Sequence, residues 1–339
     1  MPAGRGPGHR WSEMSVARRD VFSQEWIVLS VAILLFLGFS SLVSGFLIPG
    51  NLIALVRSVS VLGVLAIGMG LVVIGRGIDL SMVAVMALSV AWMLAMMNGG
   101  ASFWSAAAWA FAAVVLVGAA NGFLIAYAEV PALFTTLAMA SFVYGFGRSV
   151  LITQDLITVP ASDTLLHGLG SAHLGPLPME IVFFALAALV MAAVLRKSVF
   201  GRFTYLMGDN LLAARNIGVP VRPMIVLQYI VSAVVAFLAG VITAGNLLSM
   251  NTRIVNSSLL YDIILVVVIG GIGLSGGKGG VRNVIIGALL IGILSNGMTI
   301  LDVPDLYQKL VKALVLLAAI VVDSLLNPRD EQTEKQGDI

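Results

Sequence analysis

The residues that most resemble chemical machinery are Val266–Gly280, VVVIGGIGLSGGKGG, in which Gly271-Ile-Gly273-Leu-Ser-Gly276 spells G-x-G-x-x-G after a β-branched run. Glycines in that spacing let a backbone wrap a phosphate, and Gly277-Lys278 stands where a phosphate-binding loop would continue. The surroundings deny it. Lys278 is preceded six residues earlier by Ile272 rather than Gly and followed by Gly279 rather than Ser or Thr, and an apolar segment follows in place of a βαβ unit with an acidic residue. No Walker motif stands elsewhere, and the chain has no Cys and only three His, His9, His167 and His173, all in tails or loops. With no Ser/His/Asp or paired-carboxylate constellation, neither a catalytic residue nor a metal site is expected.

The elements that carry these glycines are set by the solvent. Hydrophobic residues make up 59% of the chain and charged residues 11%, outside the range of a soluble domain. Apolar segments near the roughly 20 residues that cross a bilayer recur along the chain. The expected fold is all-α, a polytopic membrane protein of about ten transmembrane helices, some broken by glycine-rich segments. The spans read as 27–47, 52–74, 82–97, 103–127, 132–152, 181–195, 224–247, 257–269, 281–300 and 310–325. The polar, Arg-bearing residues 1–26 form an N-terminal tail, and the first apolar run is too long for a signal-peptide core, so it reads as a retained span. Residues 27–325 form the transmembrane domain and 326–339 a C-terminal tail.

Lys and Arg fix the orientation. With the N-terminus inside, Arg5, Arg10, Arg18, Arg19, Arg76, Arg196, Lys197, Arg202, Arg215, Arg222, Lys278, Arg282, Arg329 and Lys335 are cytoplasmic, and only Arg148, Arg253 and Lys309 fall clearly outside. Arg57 and Lys312, near outer span ends, read as snorkelling cations. Asp262 and Asp323, near span ends, are too few for a proton relay.

Two polar segments exceed a turn. Residues 154–178, outside, read as a solvated loop despite His167 and His173. Residues 196–223, inside, hold a short helix with Asn210 as N-cap, Leu211, Leu212, Ala213 and Ala214 as its apolar set, Gly218 as its stop and Pro220 beyond. It is either an interfacial helix on lipid headgroups or a docking helix for a cytoplasmic partner, and its shortness favours docking.

The glycine stretch has an echo. Val72-Val-Ile-Gly-Arg-Gly-Ile-Asp-Leu-Ser81 parallels Val267-Val-Ile-Gly-Gly-Ile-Gly-Leu-Ser275 with one residue skipped, and the neighbouring spans are short, about 24 Å for 82–97 and about 20 Å for 257–269 at 1.5 Å per residue. Gly75, Gly77, Gly270, Gly271, Gly273, Gly276 and Gly277 therefore read as helix breaks, which point to a permeation site when they occur in both halves of a membrane protein. The simpler reading of each is close helix packing. Asp79 fits the N-cap of the third helix better than a solute contact.

Four blocks, GRGIDLSMVAVMALS (75–89), GAANGFLIAYAEVPALFTTLAM (118–139), GRFTYLMGDNLLAARNIGV (201–219) and IGGIGLSGGKGGVRNVIIGALLIGILSNGM (269–298), resemble ribose-type sugar ABC permeases, in the family's order and across about 51–323. The resemblance implies a channel-forming subunit in a bacterial inner membrane, both termini cytoplasmic, paired as a homodimer or heterodimer. It implies a cytoplasmic ATPase with tandem nucleotide-binding domains and a periplasmic solute-binding protein as partners. ATP and Mg would be used by the ATPase, with no cofactor on this chain and no nucleic acid. By position, Gly201, Asp209, Asn210, Leu211, Ala213, Ala214, Arg215 and Gly218 correspond to the coupling segment that rests on the ATPase, and Ala214→Asp is expected to uncouple a folded protein. Asp209 stands where the family often has Gly, Leu211 where a small or acidic residue is usual, Ala138 replaces a Gly, and Pro131-Ala132 a double Pro. Asp79, Asn121, Asn246 and Asn296 are candidates for the translocation path, each also explicable as an interhelical hydrogen bond. Branched-chain amino acid permeases, distant relatives with similar breaks, remain an alternative for substrate class, and an ion-coupled secondary transporter is the rival mechanism.

Overall fold

A computed structural model describes residues 24–174 and 177–326. The basic tail residues Arg5, Arg10, Arg18, Arg19, Arg329 and Lys335 lie outside the described residues, as do the side chains of His173 and Asp323.

Among the described residues the chain is mostly helical. In order come α1 (Gln24–Leu42), α2 (Pro49–Ile74), α3 (Met82–Asn98), α4 (Phe103–Ala126) and α5 (Ala132–Phe146), the last closing in one π-helical turn at Gly147–Leu151. After them stand β1 (Leu156–Thr158), α6 (Thr164–Ser171), β2 (His173–Leu174) and β3 (Leu177–Pro178). Then come α7 (Met179–Lys197), α8 (Val199–Asp209), α9 (Leu211–Asn216) and α10 (Val221–Leu247). β4 (Ser249–Asn251), a 3₁₀ turn, α11 (Leu259–Ile269), α12 (Val281–Ile300) and α13 (Asp305–Leu326) complete the described elements. Among the described residues six helices, α1, α2, α4, α7, α10 and α12, are long and apolar enough to cross a membrane, while α3 and α11 are apolar but shorter.

The core is built around α2, α3 and α10. α3 is apolar on every side and almost wholly buried, as a helix enclosed by other helices must be. α4 packs on α10 through Gly118 and Gly122: a Cβ on Gly118 would lie 2.8 Å from Ile230 Cα, and one on Gly122 would strike Val226. Small residues at that spacing let two backbones approach where no hydrophobic driving force between helices is available in lipid.

Helix ends explain the echo between the two glycine breaks. At the end of α2 the amides of Arg76 and Gly77 donate to Val73 and Val72, at 2.9 Å each. At the end of α11 the amides of Gly271 and Ile272 donate to Val268 and Val267, at 3.1 Å each. Both are Schellman closures, and both follow Val-Val-Ile-Gly. The left-handed position is taken by Gly271 (φ 97°) in one and by Arg76 (φ 69°) in the other, the latter an uncommon conformation for a side-chain-bearing residue. The first break returns to helix within seven residues, the second only at Val281.

Segment 154–178 departs from the solvated loop expected of it. β1 pairs antiparallel with β4, Ile157 opposite Met250, and Ile157, Leu166 and Met250 are buried. α6 starts on an Asp163 cap that accepts from Leu166 N at 2.7 Å, and its Gly170 sits against the backbone of Gly245 on α10. Asp155 binds Arg148 and Arg253, at 2.7 Å each, and ties the β1–β4 ladder down.

Candidate functional site

The arrangement that could convert one motion into another is a junction of three segments: the first break, the second break, and α8. Gly277 N donates to Ile74 O at 2.9 Å, and Arg76 Nε donates to Ser275 O at 3.0 Å, so the breaks are bonded to each other. α8 lies over both. Tyr205 Oη donates to Gly279 O at 2.8 Å, and Gln228 of α10 donates to Thr204 Oγ1 at 3.1 Å while its amide fills the space beside Gly75. Burial pushes the Tyr205 phenol up from its usual pKa, against the opposing charge of Arg196, so it remains a donor. At the centre is Gly208, where an added Cβ would strike Ile74 O and Gly277 N. Only glycine permits α8 to sit this close. Gly276 is equally confined, with Arg76 Cγ 2.5 Å and Gly208 O 3.1 Å from its Cβ position. The loop of the second break is closed from behind by Asn283, whose amide donates to Gly270 O at 2.7 Å and satisfies a carbonyl that the end of α11 leaves free. Gly273 lies half-buried in that loop.

α8 runs into α9 through Asn210, whose side chain accepts from Ala213 N at 2.9 Å and caps the short helix. Gly218 (φ 87°) ends it in a third Schellman closure, its amide on Arg215 O at 3.1 Å and the Val219 amide on Ala214 O at 3.0 Å. The expected coupling residues divide by direction. Ala214 is buried in a small core with Met207, Val219, Val221 and Met224, and Gly201 is wedged against Val194 O and Leu195 O at the turn from α7. Leu212, Ala213, Arg215 and Ile217 are exposed, as is Asp209, while Leu211 is half-buried. Ala214→Asp is therefore a core lesion and not the selective uncoupler expected of it, because a carboxylate there would be buried without a partner. An open groove of about 400 Å³ runs beside α9, lined by Arg215, Val219 and Pro220–Pro223.

A buried polar network stands behind the first break. Asp79 accepts from Ser81 N at 3.1 Å and Ser81 Oγ at 2.6 Å on one oxygen, and from Ser232 Oγ of α10 at 2.7 Å on the other. Asn121 of α4 donates to the same Ser81 Oγ at 2.9 Å. Asp79 is thus not the N-cap of α3, a position held by Ser81. Its carboxylate is used up in tying the break to α10, with each oxygen satisfied as a buried acceptor must be. Tyr229 and Thr136 complete the tie by donating to Ile78 O at 3.2 and 3.3 Å. Gly77 leaves room for Tyr229 Oη, which would lie 2.6 Å from a Cβ there.

The other two path candidates lie far from that network. Asn296 forms a reciprocal amide pair with Asn51, at 3.1 and 2.8 Å, and Asn246 accepts from Arg57 Nη1 at 3.1 Å. Arg57 does not snorkel free: its Nε lies 3.6 Å from Oε1 of Glu180, the second residue of α7. Lys312 does not either, since it is 6% exposed and pairs with Asp262 at 2.9 Å. Sequence reasoning missed both pairings. The usable signal was that each isolated cation near a span end has an isolated acid at or beside the end of another span, Asp262 for Lys312 and Glu180 for Arg57. At the opposite end of the bundle Arg282 binds Glu25 at 3.1 Å and lies 5.5 Å over the Trp26 ring, joining the start of α12 to that of α1.

Comparison with known proteins agrees with this architecture. The family model described as branched-chain amino acid transport system / permease component matches residues 51–320. The ribose import permease protein RbsC of Escherichia coli (strain K12) is 30% identical over 315 residues, covering 91% of this chain and 98% of the relative. The galactofuranose transporter permease protein YtfT of the same organism is 33% identical over 276 residues, covering 81% and 80%. The L-arabinose transport system permease protein AraH is 32% identical over 298 residues, covering 87% and 89%. No solved structure matches the chain. With most of its length matched by the family model, its apolar helices and its broken segments in the matched region, the chain belongs to the branched-chain amino acid transport system / permease component family, as a multi-pass membrane protein.

Proposed function

We propose that the chain is the channel-forming subunit of an ATP-driven, binding-protein-dependent importer that moves a sugar or sugar-like solute inward. The relatives named for ribose, galactofuranose and arabinose support the substrate class. On this reading α1–α5, α7 and α10–α13 make ten crossings, with α3 and α11 short because their ends are the two breaks. The termini and the α8–α9 segment face the cytoplasm with the bulk of Lys and Arg. A partner ATPase, using ATP and Mg, docks on the exposed side of α9, a solute-binding protein delivers from the other side, and a second permease subunit completes the channel.

The observation that carries the mechanism is the seat of Gly208 on Ile74 and Gly277. A rigid displacement of α8–α9 by a docked ATPase cannot leave either break in place, because no slack separates the three backbones. The permease then needs only two states whose populations ATP binding biases at the partner. Asn246 and Asn296 are half-buried and retain surface to offer a solute. Asp79 and Asn121, each 1% exposed, are enclosed and would meet a solute only when the first break opens. The family description favours one other reading, a branched-chain amino acid as cargo. Uptake of labelled D-ribose, L-arabinose, D-galactose and L-leucine into proteoliposomes holding the complete transporter decides between them: sugar uptake is expected, and leucine uptake alone would replace the sugar reading.

A further inference from the structure

The surface beside α9 that no contact within the chain accounts for is the open groove of about 400 Å³. Its floor is apolar: Val219 and Val221 are buried there and share a small core with Met207 and Ala214. Two guanidinium groups line it as well. Arg222 pairs with Glu129 at 3.1 Å and lies 5.5 Å over the Tyr127 ring, which fixes its position. Arg215, in the last turn of α9, is exposed and pairs with no acid among the described residues. The chain around the groove is stiff, since Gly218 turns it at φ 87° and Pro220 and Pro223 line the cleft, so little freedom remains to be lost on binding. Close by in sequence Arg196, Lys197 and Arg202 are exposed, against one acid, Asp209, in α8 and α9. The positive-inside bias accounts for the sign of these charges, but not for two guanidinium groups lining one apolar groove. The chemistry that matches such a groove is an apolar segment carrying a carboxylate, which accepts from the guanidinium fork while a cation is repelled and a neutral side chain leaves Arg215 unpaired.

We infer that this groove receives an acidic, otherwise apolar segment of the partner ATPase, with its carboxylate on Arg215 beside Arg222 and its apolar side chains over Val219 and Val221. The groove is placed to transmit a load. Met207, in the core beneath the floor, immediately precedes Gly208, whose seat on Ile74 and Gly277 has no slack, so pressure on the floor reaches both breaks through that core. The inference rests on the ATP-driven reading of the chain, and the test separates the two.

Binding of the ATPase subunit to the full-length permease is titrated at low and high salt, in nanodiscs of phosphatidylcholine alone and of phosphatidylcholine with phosphatidylglycerol. Arg215→Gln should weaken binding about tenfold at low salt and flatten its salt dependence in both lipids, as loss of one close interfacial charge pair does. Lys197→Gln, at an exposed cation ending α7, should do neither. A photo-crosslinking benzoylphenylalanine placed at position 220 should capture an ATPase peptide that contains Asp or Glu, and changing that acid to Arg should restore binding to Arg215→Glu. Equal effects of Arg215→Gln and Lys197→Gln, or a captured peptide without an acid, overturn the inference. A loss confined to the phosphatidylglycerol discs also overturns it and assigns the groove to anionic lipid. Should Arg215→Gln lower the thermal midpoint of the permease, Arg222→Gln is read in the same way. A wild-type permease that binds no ATPase in either disc would instead overturn the ATP-driven reading.

Discussion

Gly208→Ala is the smallest change that tests whether α8 is locked to the breaks. In an exposed helix, alanine for glycine stabilises by about 1 kcal/mol. At Gly208 the new methyl would meet Ile74 O and Gly277 N, with Gly277 Cα at 2.9 Å, and all three are backbone atoms that cannot rotate away. Forcing a methyl group into packed structure costs about 1–3 kcal/mol, and prising Gly277 N from Ile74 O forfeits about 0.5–1.5 kcal/mol more. Less the helix gain, the seated conformation loses about 2 kcal/mol, roughly a thirtyfold fall in its population relative to an unseated one. The assay is ATP-dependent uptake in proteoliposomes, read beside ATP hydrolysis by the same complex. Uptake should fall by about that factor while basal hydrolysis persists. Gly38→Ala in α1, where nothing lies within 4 Å of the added Cβ, is the matched control and should be neutral or mildly stabilising. Wild-type uptake by Gly208→Ala at equal expression would refute the locked junction.

Ile217, 69% exposed at the C-terminal end of α9, is the test position, and Ile217→Asp should lower uptake and complex formation with the ATPase while the isolated permease keeps its thermal midpoint; pull-down and melting in detergent check both. Ala214→Asp should instead lower that midpoint sharply, because Ala214 is 2% exposed. Removing one member of the Asp262–Lys312 pair should cost about 3–5 kcal/mol, and Asp262→Leu with Lys312→Met together should recover most of it, seen in the same melts.

What could be read in advance follows the range of the interactions. The breaks, the Asn210 cap and the Gly218 stop depend on residues a few positions apart, so Asn210 with Ala213, and Val-Val-Ile-Gly repeated at 72 and 267, were visible in the sequence. The long apolar helices were equally legible, since a bilayer demands such runs, whereas α6 and α8, short and outside those runs, were not. The β1–β4 ladder was not, because Ile157 meets Met250 across more than ninety residues and neither strand has a strong alternating pattern. The same holds for Asp79, whose oxygens are taken by Ser81 and by the distant Ser232 while Ser81 holds the N-cap position of α3. Arg57 and Lys312 read from sequence as snorkelling cations because their acids, Glu180 and Asp262, lie on other helices. The junction itself depends on Gly208, a glycine that sequence reading left out of the break set and that only its neighbours distinguish.

In the proposed function energy enters through a partner ATPase at α8–α9 and not through an ion gradient. The most direct measurement is uptake of labelled D-ribose, L-arabinose and D-galactose into proteoliposomes containing the permease with its ATPase and binding protein, with and without ATP and with the ion gradients collapsed by ionophores. Uptake is expected to require ATP and to be unchanged by the ionophores. Uptake that persists without ATP and disappears when the gradient is collapsed would contradict it.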